Sequence, residues 1–407
     1  MQERRQTNTT TTLVGMDLHS EKVQLCVTRW THGADPVRER FLCTTVAALE
    51  ATYRRQVPEG AVTVLEASTN AFSVVRRLGT IGFEARVLVS DIAAGLSARD
   101  RINDRIDAYN IAVAYARRGA SRTEVFVPSV QYQDYRTIWF AYRNAVKDST
   151  RLKNRIWAFC SEHGLEELAR VRTADPARIR KAMEARDWSA DRRFPLDGLL
   201  DALQFARSMR ERTRRRIAEI VAGTPAMRKA MTVLGVADVT AFALMAFVER
   251  IDRFQSPKKL CSYLALNPTV RSSGKSEGGH RLSNRGRADL KALLVEGAQS
   301  ALRYGREPMH RWARRKVASG KMRNVVVAAL ARRMAVALWH ALMGHPTPCR
   351  EPEANFRRKL AGVGRNVGVA RLKALGFASV RDYVSAIADP IYAHLKQKEE
   401  PSSKGIA

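Results

Sequence analysis

Three β-rich apolar runs, Leu13–Leu18, Val23–Trp30 and Val37–Thr45, follow one another with polar breaks between them. The pattern then changes. Val46–Arg55 reads as a helix, Val62–Leu65 as a strand, Phe72–Leu78 as a helix and Ala85–Val89 as a strand. Asp107–Arg118 carries Ala, Ile and Val at three-to-four spacing, which predicts a further helix. Three strands in a row, then helix alternating with strand, imply a mixed sheet covered by helices. Pro128 closes this region. Beyond it the pattern is almost wholly helical: Tyr132–Glu162, Leu199–Val221, Ala288–Tyr304 and about Lys321–Met343. Pro257–Ala265 adds a shorter helix, with Ser256 placed to cap it and Pro257 at its first position.

These periods divide the chain. Residues 1–12 are polar and Thr-rich and are expected to be disordered; residues 13–127 form an α/β domain whose element order fits an RNase H-like fold, as it fits other α/β folds. Residues 128–222 form a helical, coiled-coil region, residues 223–345 a mainly α domain, and residues 346–407 a helical extension with a polar tail from Gln397. The two long helices of the middle region are basic, the second through Arg210, Arg212, Arg214, Arg215 and Arg216. Such a pair serves as a dimerisation arm, as a rail for nucleic acid, or simply as a solvated charged face. Trp139, Tyr142 and Trp157 on the first long helix are candidates for base stacking and equally for core packing. Val233–Ala241 places Gly235 between two short apolar helices. This resembles a helix-hairpin-helix, where backbone N–H groups at a helix start bind phosphate; a plain helix-turn-helix packing unit has the same pattern.

Charge narrows the function. Seventy Lys+Arg against forty Asp+Glu leave a formal charge of +30 on 407 residues. That excess points to a polyanionic partner, by default nucleic acid. A membrane surface fits less well, because the basic residues are spread over the whole chain. The five cysteines are scattered, without metal-ligand spacing, and read as reduced buried thiols. The N-terminus lacks the apolar core of a signal peptide, Val239–Val248 is too short to cross a bilayer, and Asn324–Met343 is interrupted by Arg332 and Arg333. A soluble, cytoplasmic protein with no membrane partner is the expectation.

Two features carry candidate chemistry. Asn267–Arg287 has almost no apolar residues, four glycines, and the basic residues Arg271, Lys275, Arg281, Arg285 and Arg287 around Ser272 and Ser273. It reads as a pliable loop that handles phosphate, with a serine nucleophile, or as a basic linker. The second feature is a set of carboxylates. Asp17 and Glu66 end apolar strands, where an acid is costly unless paired or bound to metal. Asp104 and Asp107 stand three apart at a helix start, on one face. Four such oxygen donors suit Mg²⁺ or Mn²⁺.

Gly15-Met-Asp17, Glu66 and Asp104-x-x-Asp107-Ala resemble the Asp-Glu-Asp-Asp quartet of the IS110-family transposases. Leu234-Gly-Val-Ala-Asp-Val-Thr-Ala, Arg253-Phe, Leu260–Pro268, Ser273-Gly-Lys and Leu282-Ser-Asn-Arg-Gly286 resemble that family's C-terminal transposase domain in order and spacing. The resemblance covers about 13–120 and 227–305. It departs at Ile102-Asn103, where the family often carries Lys-Thr. It implies an RuvC-like N-terminal domain with Asp17, Glu66, Asp104 and Asp107 as metal ligands, and Ser273 as the nucleophile, with the adjacent Ser272 as the alternative. It further implies a homo-oligomer, dimer or tetramer, that acts on donor and target DNA under the guidance of a bridge RNA; the basic residues of the serine loop, Arg271, Lys275, Arg281 and Arg285, are by their charge candidates for contact with that nucleic acid. A RuvC-like metal-dependent nuclease or junction resolvase, and a non-catalytic nucleic-acid-binding protein, are the competing readings.

Overall fold

The computed structural model describes residues 10–90, 92, 96, 103–119, 124–165, 175–185, 188–273, 276–283, 285–305, 307–347 and 349–399, with the backbone alone at 269–281 and 394–399. Its contacts group the chain into two compact units, Met1–Ser129 and Val130–Ala407.

The first unit is built on a five-stranded sheet. Its strands are β1 (Thr10–Leu18), β2 (Lys22–Thr31), β3 (Val37–Thr45), β4 (Val62–Glu66) and β5 (Glu84–Leu88), in spatial order β3-β2-β1-β4-β5. The three consecutive strands pair antiparallel, while β1–β4 and β4–β5 pair parallel. The parallel pairings need crossovers, and helices supply them. The helices α1 (Leu49–Gln56) and α2 (Ala71–Thr80) cover one face, packing Leu49, Tyr53, Val74 and Leu78 against Val14, Met16, Leu25 and Leu65. The helix α3 (Asp104–Arg118) covers the other, where Ile111, Ala112 and Tyr115 meet Leu13, Val64 and Leu88. The mixed sheet expected from the pattern is therefore present. β1 begins earlier than expected: Thr10–Thr12, assigned to a disordered N-terminus from their polarity, pair with Thr31, Trp30 and Arg29. β-branched threonines fit a pleated strand even without an apolar face.

The second unit is helical apart from one hairpin. Its two long helices, α4 (Val130–Glu162) and α6 (Ala190–Gly223), lie antiparallel: Ile156 and Cys160 near the end of one share a cluster with Leu196 and Leu200 near the start of the other. The short α5 (Pro176–Glu184), capped by the Asp175 side chain, closes that end. The main core surrounds α8 (Asp238–Val248), nearly all of which is buried. Packed on it are α7 (Pro225–Ala230), α9 (Pro257–Tyr263), α10 (Ala288–Tyr304), α11 (Pro308–Ala318) and α12 (Arg323–Met343). Ser256 occupies the cap position of α9, but its side chain makes no capping bond; its carbonyl accepts from Lys259 and Leu260 N–H instead.

The helix α12 is the one described helix long and apolar enough to cross a membrane, yet its apolar side belongs to this core. Arg332 donates to the Leu266 carbonyl at 3.1 Å, and Arg333 lies 3.5 Å over the Trp312 ring. A membrane location is therefore not indicated. The C-terminal helices α13 (Glu353–Val367), α14 (Val369–Ala374) and α15 (Val380–Glu399) join the same core through Phe356, Leu360, Leu372, Tyr383 and Tyr392. Four cysteines are buried and Cys43 is exposed, so the expectation of uniformly buried thiols fails at Cys43.

Candidate active site

Strand alternation decides which way the carboxylates point. Leu13 packs toward α3, and Val14 and Met16 toward α1 and α2. Asp17, four residues after Leu13, therefore faces α3. On β4, Val64 faces α3 and Glu66 follows two residues later. The parallel register that pairs Met16 with Leu65 brings Asp17 and Glu66 to the ends of neighbouring strands, on the same face.

The start of α3 completes the arrangement. Asn103 caps the helix, its side chain accepting from the Arg105 N–H at 3.0 Å. Asp104 and Asp107 fill the first turn, where the helix dipole favours negative charge. The helix reaches this position because position 15 is glycine. A Cβ there would lie 1.9 Å from the Ala108 carbonyl oxygen and 3.2 Å from the Ala112 Cβ. Farther along, the Tyr109 hydroxyl donates to the Pro36 carbonyl at 2.9 Å and, near the helix end, Arg117 pairs with Asp35 at 2.6 Å, tying α3 to the β2–β3 turn.

Asp17, His19 and Asp104 each present a ligand atom, all within 4.8 Å of one another. His19 Nε2 lies 3.1 Å from Asp17 Oδ2 and 3.9 Å from Asp104 Oδ1. Burial pushes the Asp17 carboxyl above its ordinary value; His19 opposes the rise, and the charges of Asp104 and Asp107 add to it. A half-buried carboxylate crowded by two others favours a cation in their midst. Two carboxylates and an imidazole are a donor set that can hold a divalent cation.

His19 was not singled out by sequence reasoning. It stands just past the end of β1, in the β1–β2 turn, where no strand or helix period of the sequence points to it.

The serine region takes a different form from the loop expected. β6 (Pro268–Ser273) and β7 (Ser276–Leu282) make an antiparallel hairpin in which Ser273 pairs with Ser276, Ser272 with Glu277 and Arg271 with Gly278. Ser273 is the last residue of its strand. Arg281 pairs with Thr269 near the base, and Lys275 lies outside the described residues.

The base is tied to the helical core. The Ser283 N–H donates to the Asn267 carbonyl at 2.9 Å, the Ser283 hydroxyl accepts from the Arg285 N–H at 3.0 Å, and Leu282 packs on the main core. The glycine at position 286 has φ 127°, and a Cβ would meet the Tyr263 carbonyl at 2.7 Å. Next to it, Arg287 lies 3.7 Å over the Phe247 ring and pairs with Asp289 at 2.8 Å. Asp289 also accepts from Trp139 Nε1 at 3.3 Å and lies 3.4 Å from Arg143. Burial alone would push the Asp289 carboxyl up, but Arg287, Trp139 and the Leu290 N–H hold it below the usual range. Trp139 is buried here and stacks on Tyr142 at 6.1 Å, whereas Trp157 is 55% exposed.

The Gly235 turn is held from below. Gly235 has φ 75°, and a Cβ would lie 2.7 Å from the Met334 methyl. Lys359 reaches in from α13, donating to the carbonyls of Met231 at 3.2 Å and Val236 at 2.8 Å and pairing with Glu351. Asp238, buried at the start of α8, pairs with Arg214 at 3.5 Å. A buried acid at that helix start disfavours phosphate, so the packing reading suits this turn better than the phosphate-binding one.

Residues 227–314 match the model of the IS116/IS110/IS902 transposase family. A Pseudomonas aeruginosa protein named "Probable family 20 transposase" is 27% identical over 346 residues, 83% of this chain and 98% of that protein. A Coxiella burnetii protein named "Transposase for insertion sequence element IS1111A" is 26% identical over 343 residues, 82% of this chain and 90% of that protein.

Proposed function

We propose that this chain, whose resemblance to the IS110-family transposases the family match and the relatives bear out, moves an insertion sequence by cutting and rejoining DNA through Ser273 and a metal site of Asp17, Glu66, Asp104 and Asp107. The observation that carries the metal half is the meeting of β1 and α3, which brings Asp17 and Asp104 from distant parts of the chain to one cluster. The sheet order, with an antiparallel first hairpin and parallel β1, β4 and β5, supports an RNase H-like reading of the first unit.

A divalent ion held there, Mg²⁺ or Mn²⁺, supplies positive charge that offsets the charge developing on a scissile phosphate. The protein's own part is positional. Asp17 and Glu66 are held by paired strands, and Asp104 and Asp107 by a capped helix. Ser273 ends its strand at the tip of a hairpin whose base is fixed by Asn267, Ser283 and Arg287. In the step we assign to it, the Ser273 Oγ–phosphorus bond forms and one phosphorus–oxygen ester bond to a sugar breaks. The serine loses its proton and the departing sugar oxygen gains one. Attack by a second sugar hydroxyl reverses these changes, so one phosphodiester is exchanged for another without ATP. The +30 charge supports long contacts with DNA and with a guiding bridge RNA in a homo-oligomer, and Arg271, Lys275, Arg281 and Arg285 flank the nucleophile in sequence.

The test uses the full-length protein with its co-purifying RNA and DNA spanning the ends of the encoding element. Ser273→Ala is expected to abolish both the denaturant-resistant protein–DNA adduct and recombination, and Asp17→Asn to abolish both as well. Strand cutting that survives Ser273→Ala without an adduct would favour the water-attacking nuclease. Recombination that survives with its adduct would remove Ser273 from the mechanism.

A further inference from the structure

We propose that His19 is itself a ligand of the ion held by Asp17 and Asp104, and that its imidazole biases the site toward Mn²⁺ over Mg²⁺. This inference rests on the metal reading above and extends it to a residue outside the carboxylate quartet. The geometry is the first support. Ligand atoms about 2.1 Å from an octahedral ion stand about 3.0 Å apart when adjacent and about 4.2 Å apart when opposite. His19 Nε2 is hydrogen-bonded to Asp17 Oδ2 at 3.1 Å and lies 3.9 Å from Asp104 Oδ1, so an ion that takes the place of the shared proton meets both carboxylates and the ring nitrogen within that span.

The backbone of His19 is held from two sides. The His19 N–H donates to the Lys22 carbonyl at 3.0 Å, closing the tight β1–β2 turn. The His19 carbonyl accepts from Asn70 Nδ2 at 3.1 Å, and Asn70 stands at the N-terminus of α2, beyond the end of β4. His19 is thus fixed to the sheet end where Asp17 and Glu66 emerge. Its ring is half exposed, so one nitrogen can face an ion while the other stays in water.

The chemistry supplies the bias. Mg²⁺ demands oxygen ligands and dehydrates reluctantly, whereas Mn²⁺, a first-row transition ion, takes the same oxygen donors and tolerates an imidazole among them. One imidazole among the donors tilts the balance.

The test measures binding of Mn²⁺ and of Mg²⁺ to the full-length protein by calorimetry, together with the pulsed paramagnetic resonance spectrum of bound Mn²⁺. Wild-type protein is expected to show ¹⁴N coupling to Mn²⁺. In His19→Ala that coupling disappears, Mn²⁺ affinity falls at least tenfold, and Mg²⁺ affinity changes less than threefold. The variant His19→Asp, which offers oxygen instead, is expected to bind both ions with the preference moved toward Mg²⁺; a merely structural histidine would not produce that reversal. Unchanged Mn²⁺ affinity and persistent ¹⁴N coupling in His19→Ala, with binding lost in Asp17→Asn, would overturn the role of His19 alone. Binding unaffected by Asp17→Asn would overturn the metal site itself.

Discussion

The carbonyl oxygen of Ala108 occupies the space that a side chain on Gly15 would need, 1.9 Å from an ideal Cβ. This contact sets how closely α3 approaches β1, and hence how near Asp104 comes to Asp17. Gly15→Ala is expected to push the helix from the sheet. Overpacking of this kind costs about 1–3 kcal/mol. Urea unfolding would report that loss, and calorimetry a fall in divalent-ion affinity out of proportion to the single methyl added. Wild-type ion affinity in Gly15→Ala would show that the close approach does not set the site.

The position of Asp17 carries a cost to the fold. Its carboxyl is partly desolvated and stands among like charges from Asp104 and Asp107. In metal-free buffer at neutral pH, Asp17→Asn should be as stable as the wild type or more stable by up to about 1 kcal/mol. Activity should fall at the same time by at least about a hundredfold. Thermal unfolding with chelator, beside a recombination assay, checks both; a clear loss of stability would mark Asp17 as structural.

Asp289 works in the opposite direction. It ties Arg287, and through it the base of the serine hairpin, to Trp139. Its carboxyl is held below the ordinary value of 3.8, so its contribution is fully present above that pH and is lost as pH falls through the lower folded value. Asp289→Asn should destabilise by about 1.5–3 kcal/mol at pH 7. The difference between wild type and variant should shrink steadily below about pH 4. Denaturation at pH 7 and in acid would show it, and a gap that does not narrow would contradict the ion-pair account.

Lys359 explains what the C-terminal extension contributes. The ammonium is buried, pairs with Glu351 and holds the carbonyls of the Gly235 turn. Lys359→Ala leaves Glu351 and those carbonyls without their donor, and is expected to cost about 3–5 kcal/mol. Glu351→Gln should be milder, because Lys359 keeps its carbonyl partners. Comparable losses from the two changes in urea unfolding would place the energy in the charge pair rather than in the turn.

Local pattern alone determined much of this protein. Apolar runs marked the strands and helices of the first unit, and the spacing of Asp104 and Asp107 placed both on one helix turn, because side-chain period follows directly from backbone geometry. The excess of Lys and Arg points to a polyanionic partner independently of the fold. The hairpin at Pro268–Leu282 was not legible, since its strands are polar and held by backbone hydrogen bonds that leave no apolar alternation to read. Nor was the extension's role, which depends on a lysine reaching a turn more than a hundred residues earlier in the chain. Tertiary structure decided the convergence of Asp17, His19 and Asp104. Their meeting depends on strand register and on a helix packed against a glycine, and neither the register nor that packing distance is written in the period of any one segment.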